Sequence, residues 1–544
     1  MDGLKGRRVL TAPTPEILDS KEVGKILDRV LPKHFENSEE IEYLHNFVGG
    51  DQPILERTKS VRDEIMNIVI ENRAYEIVEF KKGYEFSHPI QYTNAGQDDT
   101  APIELLNKFA KVDGKEEKDL ALAEWMYISG NCYRFCNKSE EFTEDNAPYY
   151  TSVLDPRTTF VVYSTGVSKK MLVAGVYTQN GDVYLCDAYT DSKTFSWEIT
   201  EEEHQEIVKG SEEGVLVSKR CEEESHIIGM IPIVEYYLNP RRMGYIELCL
   251  GLFNVLNTAQ SNRADGIEQF IQSYLVFVNA DIPDELDDKG RPVIENGQKV
   301  KKLPKSGDAI LVGNQQGNAD VKFIESMLSQ EDTQIFKDDI LRAIHEICGV
   351  PDRHGKNQGG GDRAQAVVLR NGWGDAEARA KTTENMFRKS EYEYLMIVLK
   401  ICRDTQGVEI DNLVLHDIDI KFSRNRNDQM VTKAQALKML LDCDINPEDA
   451  FITSELFSDP SAVWLRSKEI KEANDNAKRV DEISTMLADG YIDEEWAIAN
   501  NPMIKEADKK AVLARIDLSK REDAEETFET DDDIESVEDN ESKE

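Results

Sequence analysis

The chain has 544 residues and a formal net charge of −40 at neutral pH. So large an acidic excess argues against tight nucleic-acid binding, because neutralising phosphates requires lysine and arginine. It favours either simple solubility or a surface along which DNA moves without sticking. The apolar fraction of 40% is ordinary, and the length suggests roughly three or four domains.

Cysteine usage and the start of the chain indicate a reducing compartment and no export signal. None of the eight cysteines forms a C-x-x-C pair, so we expect free thiols rather than disulfides. The opening MDGLKGRRVL lacks the long apolar run of a signal peptide. No apolar stretch reaches the ~18 residues needed to cross a bilayer.

The first 130 residues show helical spacing of apolar side chains. The pattern predicts helices over residues 15–31, 41–48 and 61–74, the second ending at a Gly-Gly pair. A further helical pattern covers residues 116–128.

From residue 132 to about 234 the apolar period changes to that of antiparallel strands. Asn180-Gly181 lies between two strand-like runs, and this dipeptide favours a tight hairpin because both positions tolerate positive φ. We therefore predict one α+β region over residues 1–235.

The middle of the chain predicts two helices flanking a small β module. A strand-like run, IPIVEYY, and the turn LNPRRMG lead into a helical pattern over about 245–273. Short strand-like runs fill residues 274–325, and helical spacing resumes at Ser329. Gly349-Val350-Pro351 is a stop signal for that second helix. The two helices should form an antiparallel pair.

One face of the second helix carries apolar residues at intervals of four, four and three. We expect them to pack the helix pair. They are Phe336, Ile340, Ile344 and Ile347.

A glycine triplet, Gly359 to Gly361, follows the second helix. Neither a Walker sequence nor a G-x-G-x-x-G after a strand is present, so a phosphate cradle is not predicted. A long helical pattern then covers residues 362–402, and we expect Gly372 and Gly374 to kink it.

The remaining chain predicts a strand and a helical region. The strand-like run HDIDIKF covers residues 416–422, and helical patterns fill 432–518. From residue 522 aspartate and glutamate alternate with few apolar residues, which is typical of disorder.

No catalytic or metal-binding pattern stands out. The eight histidines are isolated, and no G-x-S-x-G or H-E-x-x-H sequence occurs. Paired carboxylates are expected by chance in so acidic a chain. We therefore predict a protein without enzymatic activity, metal or cofactor.

The stretch PIVEYYLNPRRMGYIE and the helix after it resemble the portal proteins of tailed bacteriophages, of the type common in phages of Gram-positive bacteria. The resemblance rests on a strand ending in Glu-Tyr, an Asn-containing turn, a glycine and a helix carrying Asn262, Asp265 and Glu268. It continues through the β insertion, the return helix and the glycine-rich loop, covering about residues 20–510.

The resemblance implies an α+β portal fold with a mixed α/β wing, an antiparallel helical stem, a small β-rich clip and a helical crown. Its parts would be the wing (1–242), stem helix one (243–273), clip (274–328), stem helix two (329–349), tunnel loop (350–362), long wing helix (363–403), wing return strand (404–429), crown (430–518) and a disordered acidic tail (519–544).

The resemblance also implies a function. Such proteins form a homo-oligomeric ring, usually of twelve subunits, at one vertex of the capsid. Double-stranded DNA would pass through it during packaging and ejection. The implied partners are the terminase large subunit, a head–tail adaptor, and the major capsid and scaffold proteins, without a membrane. The location would be the virion, and the host cytoplasm during assembly.

The same resemblance identifies a tunnel loop that faces DNA. Glycine would supply flexibility, and a few basic side chains would offer weak phosphate contacts that do not stall a motor. An ordinary flexible connector is the alternative. The candidate residues are Arg353, His354, Lys356, Asn357, Gln358, Gly359, Gly360, Gly361 and Arg363.

Three lysines in the predicted clip, Lys299, Lys301 and Lys302, form a cluster that is rare in this chain. We expect them to face a partner or a neighbouring subunit. A solvated strand edge protected from aggregation by lysine is an equally good explanation.

Two other classes of protein compete with a portal. A packaging ATPase requires a Walker loop and an acidic Walker B strand, and the sequence has neither. A scaffold or adaptor protein that forms no ring remains the alternative.

Overall fold

The structure is a computed structural model of the chain. It describes every residue except 1–5, 61–62, 95–100, 144, 211–213, 227, 272–273, 279–283, 286, 288, 296, 301–319, 325–329, 352–371, 411, 425–429, 444, 455, 458–459 and 536–544. It divides into two compact units, residues 1–425 and 426–544.

The first unit mixes helices and strands. Its helices are α1 (Ser20–Gly49), α2 (Arg73–Glu85), α3 (Ala101–Val112), α4 (Lys115–Ser129), α5 (Glu201–Lys209), α6 (Val215–Ser218), α7 (Leu250–Ile271), α8 (Gln330–Cys348) and α9 (Trp373–Arg403). Short 3₁₀ turns lie at Pro53–Glu56, Ile246–Cys249 and Leu415–Asp417.

The strands follow the α+β pattern that the sequence predicts. They are β1 (Leu10–Ala12), β2 (Gln91–Asn94), β3 (Asn131–Lys138), β4 (Tyr149–Leu154), β5 (Thr159–Ser164), β6 (Met171–Asn180), β7 (Val183–Tyr189), β8 (Lys193–Thr200), β9 (Glu222–Ser225), β10 (Ile233–Tyr237), β11 (Tyr274–Val278), β12 (Ile294–Glu295), β13 (Gln298–Lys299), β14 (Asp320–Ile324) and β15 (Ile418–Lys421).

The largest sheet has six strands in the order β1-β5-β6-β7-β8-β9. Only the β1–β5 pair is parallel. The predicted hairpin is confirmed, because β6 ends at Asn180 and pairs with β7 across Gly181, whose φ is 63°. The apolar side of α1 packs on this sheet around Phe160 and Trp197.

A second sheet, β10-β3-β4, connects the predicted IPIVEYY strand to the core. Helices α4 and α9 pack against it, and β15 pairs with β2 beside them. The first turns of α7 and the end of α8 join the same core through Phe253, Leu256, Ile340 and Ile344.

The helix pair and its β module have the predicted order. Strand β11 follows α7, and β14 precedes α8; the two pair antiparallel with Tyr274 opposite Ile324. A two-residue hairpin, β12–β13, lies between them. Both helices therefore lead to one small sheet. The predicted strand AILVG lies outside the described residues.

The predicted break between two helices near residue 40 is wrong. Helix α1 continues through Pro32 because its buried stripe runs unbroken through Leu31, His34 and Ile41. Pro32 removes one amide hydrogen bond, but packing along the whole stripe outweighs that loss. The helix predicted over 61–74 is also wrong in its first part, since α2 begins only at Arg73.

The second unit is helical, as predicted. Its helices are α10 (Met430–Asp442), α11 (Pro447–Ser454), α12 (Pro460–Ala488), α13 (Glu494–Asn500) and α14 (Glu506–Glu535). Helix α14 continues to Glu535, so the disorder predicted from residue 519 is corrected as far as that residue. Glutamate and alanine are good helix formers, and they extend a helix that has already begun.

One buried carboxylate connects the long helix α9 to the rest of the core. Glu391 is fully buried and accepts bonds from Tyr92 at 2.7 Å and Tyr236 at 2.8 Å. Lys115 lies 2.8 Å and Arg134 3.3 Å from its two oxygens. Burial alone would raise the pKa of Glu391, but these two cations outweigh it and lower the pKa to about 2. The carboxylate thus joins α9 to α4, β2, β3 and β10.

We predict that Glu391→Gln lowers the free energy of unfolding by roughly 3 kcal/mol, because the buried Lys115 and Arg134 lose one of the two carboxylates that pair with them and keep only Asp119. Urea unfolding at neutral pH checks this. The folded-state pKa lies below the ordinary 4.5, so this carboxylate stabilises the fold above about pH 4.5. The wild-type advantage should shrink between about pH 4.5 and 2. Glu117→Gln, at an exposed site on α4, is the control; equal losses in both variants would contradict the assignment.

Candidate functional site

Two buried ion pairs around the predicted turn LNPRRMG hold the N-terminal end of α7 in place. Glu235, in the middle of β10, accepts two hydrogen bonds from Arg242, at 2.6 and 2.7 Å. Glu247 lies 2.9 Å from the buried Arg7. Burial raises the pKa of Glu247, which Arg7 counteracts. These contacts set the direction in which α7 leaves the core.

Position 244 requires glycine because the turn lies very close to the backbone of α4. A Cβ atom on Gly244 would lie 2.2 Å from the carbonyl oxygen of Ile128, at the end of α4. No side chain fits that distance. The glycine in the motif therefore allows the turn to lie against α4 before α7 begins.

A segment that we call the strap, residues 65–71, runs antiparallel along α7. The backbone amides of Asn67, Val69 and Glu71 donate to the side chains of Asp265, Ser261 and Asn257, at 2.7, 3.0 and 2.9 Å. Alternate strap residues thus bind α7 residues four positions apart. In an extended chain two residues span about 6.6 Å, and four helical residues rise about 6 Å, so the two periods match.

Asp265 is the most heavily bonded residue of this contact. Its carboxylate accepts from Arg57 and Lys59, each at 2.9 Å, besides the amide of Asn67. Burial would raise the pKa of Asp265, but the bonds from Asn67 and Lys59 and the charge of Arg57 lower it below its ordinary value. Asn67 also donates to Glu268 at 2.7 Å, and Arg57 donates to Asn262 at 2.6 Å. Two polar residues of the helix motif, Asp265 and Glu268, therefore bind the strap, and Asn262 binds Arg57, which precedes it.

The end of the strap connects the two helices of the pair. The carboxylate of Glu71 accepts from Gln260 of α7 at 2.6 Å and lies 2.9 Å from Lys337 of α8. Burial would raise the pKa of Glu71, but Lys337 and Arg73 lower it. One carboxylate thus fixes α8 to α7.

The predicted packing face of α8 is only half correct. Ile340 and Ile344 are buried in the core, whereas Phe336 is 50% exposed and Ile347 is 38% exposed. Cys348, one position later, takes the buried place at the helix end. Phe336 instead borders an open groove of about 420 Å³. Small and polar side chains of α7, including Thr258 and Ala259, line its other side and leave it unfilled.

The end of α8 and the start of α9 are held together. Arg379 of α9 donates to the carbonyl oxygens of Ile347 at 2.6 Å and Glu346 at 3.1 Å, which caps the C-terminus of α8. A Cβ on Gly372 would lie 3.9 Å from the Cα of Pro351. The chain therefore enters and leaves residues 352–371 at neighbouring points.

The predicted DNA-facing residues lie outside the described residues. They are Arg353, His354, Lys356, Asn357, Gln358, Gly359, Gly360, Gly361 and Arg363. The predicted kink at Gly372 and Gly374 stays a prediction, because residues 352–371 lie outside the described residues. Gly372 directly precedes α9 with φ of 83°, and Gly374 lies in the first turn of that helix. Glycine adopts this left-handed conformation without steric cost.

Of the three predicted clip lysines, the structure describes one. Lys299 ends β13, is exposed, and lies 3.1 Å from the carboxylate of Asp284. Lys301 and Lys302 lie outside the described residues.

Within the described residues, no cluster of three or more histidine, cysteine, aspartate or glutamate side chains is arranged to hold a metal ion. In the same part of the chain no helix is long and apolar enough to cross a membrane.

Most of the contact between the strap and α7 was not predicted from the sequence. The sequence motif identified Asn262, Asp265 and Glu268 but not Asn257 and Ser261, which are fully buried. The four-residue spacing of Asn257, Ser261 and Asp265 was the available signal, since buried polar residues at that spacing predict a polar partner. The partner residues, nearly 200 positions away, carry no comparable pattern.

Comparison with known proteins identifies a family. The sequence profile described as "Phage portal protein, SPP1 Gp6-like" matches residues 27–447. Among curated proteins none matches the chain.

Solved structures of gene transfer agent (GTA) particles match at low identity. The neck of a native GTA particle computed with C12 symmetry has 13% identity and a TM-score of 0.36, and covers 71% of this chain and 89% of that one. The neck of an empty particle with C6 symmetry has 13% identity and a TM-score of 0.38, with 71% and 90% coverage. The virion of a native particle has 12% identity and a TM-score of 0.38, with 71% and 89% coverage. At these TM-scores the likeness carries no argument.

We predict that Ser261→Ala releases the strap locally, because the partly buried amide of Val69 loses its acceptor. Hydrogen exchange at Val69 should accelerate by about tenfold or more, which corresponds to a donor left without its acceptor. Thr258→Ala, at an exposed hydroxyl of the same helix, is the matched control. Unchanged exchange at Val69 in Ser261→Ala would contradict the role of the strap.

Proposed function

The chain belongs to the SPP1 Gp6-like family of phage portal proteins, and on that premise we propose that it forms a ring-shaped channel at one capsid vertex. Members of this family are structural components of the virion and not enzymes. Double-stranded DNA would enter through the ring during packaging and leave through it during ejection.

The observation that carries the proposal is the strapped helix pair. Helices α7 and α8 connect one core to one small sheet, β11–β14, and Glu71 links both helices to the strap. A rod of two helices with a sheet at its far end has little core of its own. This architecture supports the proposal that the subunit packs beside copies of itself around a channel.

We assign the parts of a portal subunit to these elements. Residues 1–242 and 404–429 would form the wing, 243–273 and 329–349 the stem, and 274–328 the clip. Residues 363–403 would contribute the long wing helix and 430–518 the crown. The ring would contain twelve copies, as the resemblance implies.

The acidic composition supports a channel through which DNA slides. With a net charge of −40, the subunit repels phosphate at most of its surface. A ring of such subunits would lower friction on the DNA, since each strong phosphate contact would have to be broken as the duplex moves.

We propose that residues 350–362 form a loop that faces the DNA. Arg379 anchors the preceding helix end, and Pro351 and Gly372 lie side by side. Anchors this close suit a segment, residues 352–371, that leaves and returns at one place and contains most of the proposed loop. Gly359 to Gly361 would supply flexibility, while Arg353, His354, Lys356 and Arg363 would make weak phosphate contacts.

We propose that the clip docks the terminase large subunit during packaging and a head–tail adaptor afterwards. The wing and crown would contact the major capsid and scaffold proteins. Lys299 supports the clip assignment only in part, because it already has Asp284 as a partner. Lys301 and Lys302 are proposed to face the same partners.

The purified chain should form rings with a central hole wide enough for duplex DNA, visible by negative-stain microscopy. Particles should carry the protein at a single vertex. A compact monomer in solution, with no unique vertex in the particle, would favour a scaffold or adaptor protein that forms no ring.

Deleting Gly359 to Gly361 should leave rings intact but sharply reduce the amount of DNA packaged, because the loop loses reach and flexibility. Packaged DNA per particle is the measurement. Replacing the triplet by three serines keeps the length of the loop, so this variant is the control for loop length. Normal packaging after the deletion would mean that the loop is an ordinary connector.

A further inference from the structure

The solvent-facing side of α1 carries a row of four cations. All four side chains are exposed and stand four residues apart. They are Lys21, Lys25, Arg29 and Lys33. In a chain with 40 more acidic than basic side chains, a regular basic row of this length is unusual.

The opposite side of α1 fixes where the row points. Val23, Leu27, Val30 and Leu31 are buried against the six-stranded sheet. The helix cannot rotate without exposing them, so the cations stay directed outward. Residues four apart rise about 6 Å along a helix, so the row spans about 18 Å. Such a ridge is inclined to the helix axis by about 26°.

The row is barely neutralised within the chain. Lys25 lies 2.5 Å from Glu22, an exposed pair one helical turn apart, and such pairs contribute little. Across the described residues, Lys21, Arg29 and Lys33 make no ion pair.

The charge of the exposed face of α1 changes from positive to negative after the row. Glu39 and Glu42 follow on the outer side of the same helix, as does Glu36, which lies 2.9 Å from Arg8. A long polyanion lying along α1 would meet these carboxylates and be repelled. The arrangement therefore suits a short anionic partner whose charge ends within about 20 Å, rather than a continuous duplex.

We propose that this row is a docking surface for an acidic segment of another protein in the particle. The segment would carry several carboxylates over about 18 Å and cross α1 obliquely along the ridge. Electrostatic complementarity would set its orientation and speed its association. This inference does not depend on the chain forming a ring.

Carbodiimide coupling of purified particles tests the proposal, because the reagent joins amines to carboxylates that are already in contact. We expect mass spectrometry to find Lys21 or Lys33 joined to an aspartate or glutamate of a different protein. A link between Lys25 and Glu22 within α1 verifies that the reagent reaches the helix.

A quadruple variant measures the strength of the contact. Replacing Lys21, Lys25, Arg29 and Lys33 by glutamine should reduce co-purification of the cross-linked protein by about tenfold or more, since exposed pairs are weak singly and act together. The charge-matched control replaces Lys108, Lys111, Lys169 and Lys170, all exposed, and should change little.

Two results would overturn the proposal. One is the Lys25–Glu22 link without any link from the row to another protein. The other is protection of the row's amines from acetylation that disappears after nuclease removes the DNA, because the occupant would then be the genome.

Discussion

The arrangement of the first unit depends on a match between the repeat distance of the extended strap and that of helix α7. The strap presents an amide every second residue, and α7 presents a buried acceptor every fourth residue, at Asn257, Ser261 and Asp265. Both repeats are close to 6 Å. Because the contact is polar and partly buried, a shift along the helix would leave its amides and their buried acceptors unpaired. The strap therefore fixes the helix pair in one register on the core.

Other buried carboxylates of this acidic chain are also paired with specific partners. Glu391, Glu247 and Glu235 each lie inside the first unit with an arginine or lysine as partner. Such pairs are poor sources of net stability, but removing either member is costly. They set which elements meet, while the excess carboxylates stay in water. An acidic chain can thus have a well-defined core and a surface that repels phosphate.

Much of the first unit could be predicted from local patterns. The hairpin at Asn180-Gly181, the β10 strand, and the order of α7, sheet and α8 follow from turn chemistry and apolar period. The errors fall where neighbours outweigh local preference. Pro32 should have ended α1 but is held by the packing around Leu31 and His34, and residues 65–69 have helical spacing but lie along α7 as the strap.

The sequence by itself determined the element types and the family resemblance, because periodicity and short motifs are local properties of the chain. Only the tertiary structure decided what those residues touch. Asp265 became the acceptor for Arg57, Lys59 and Asn67, and Arg379 became the cap of α8. Cys348 took the buried position expected for Ile347. Each of these outcomes depends on segments distant along the chain meeting at one distance and angle, and no spacing along the sequence contains that geometry.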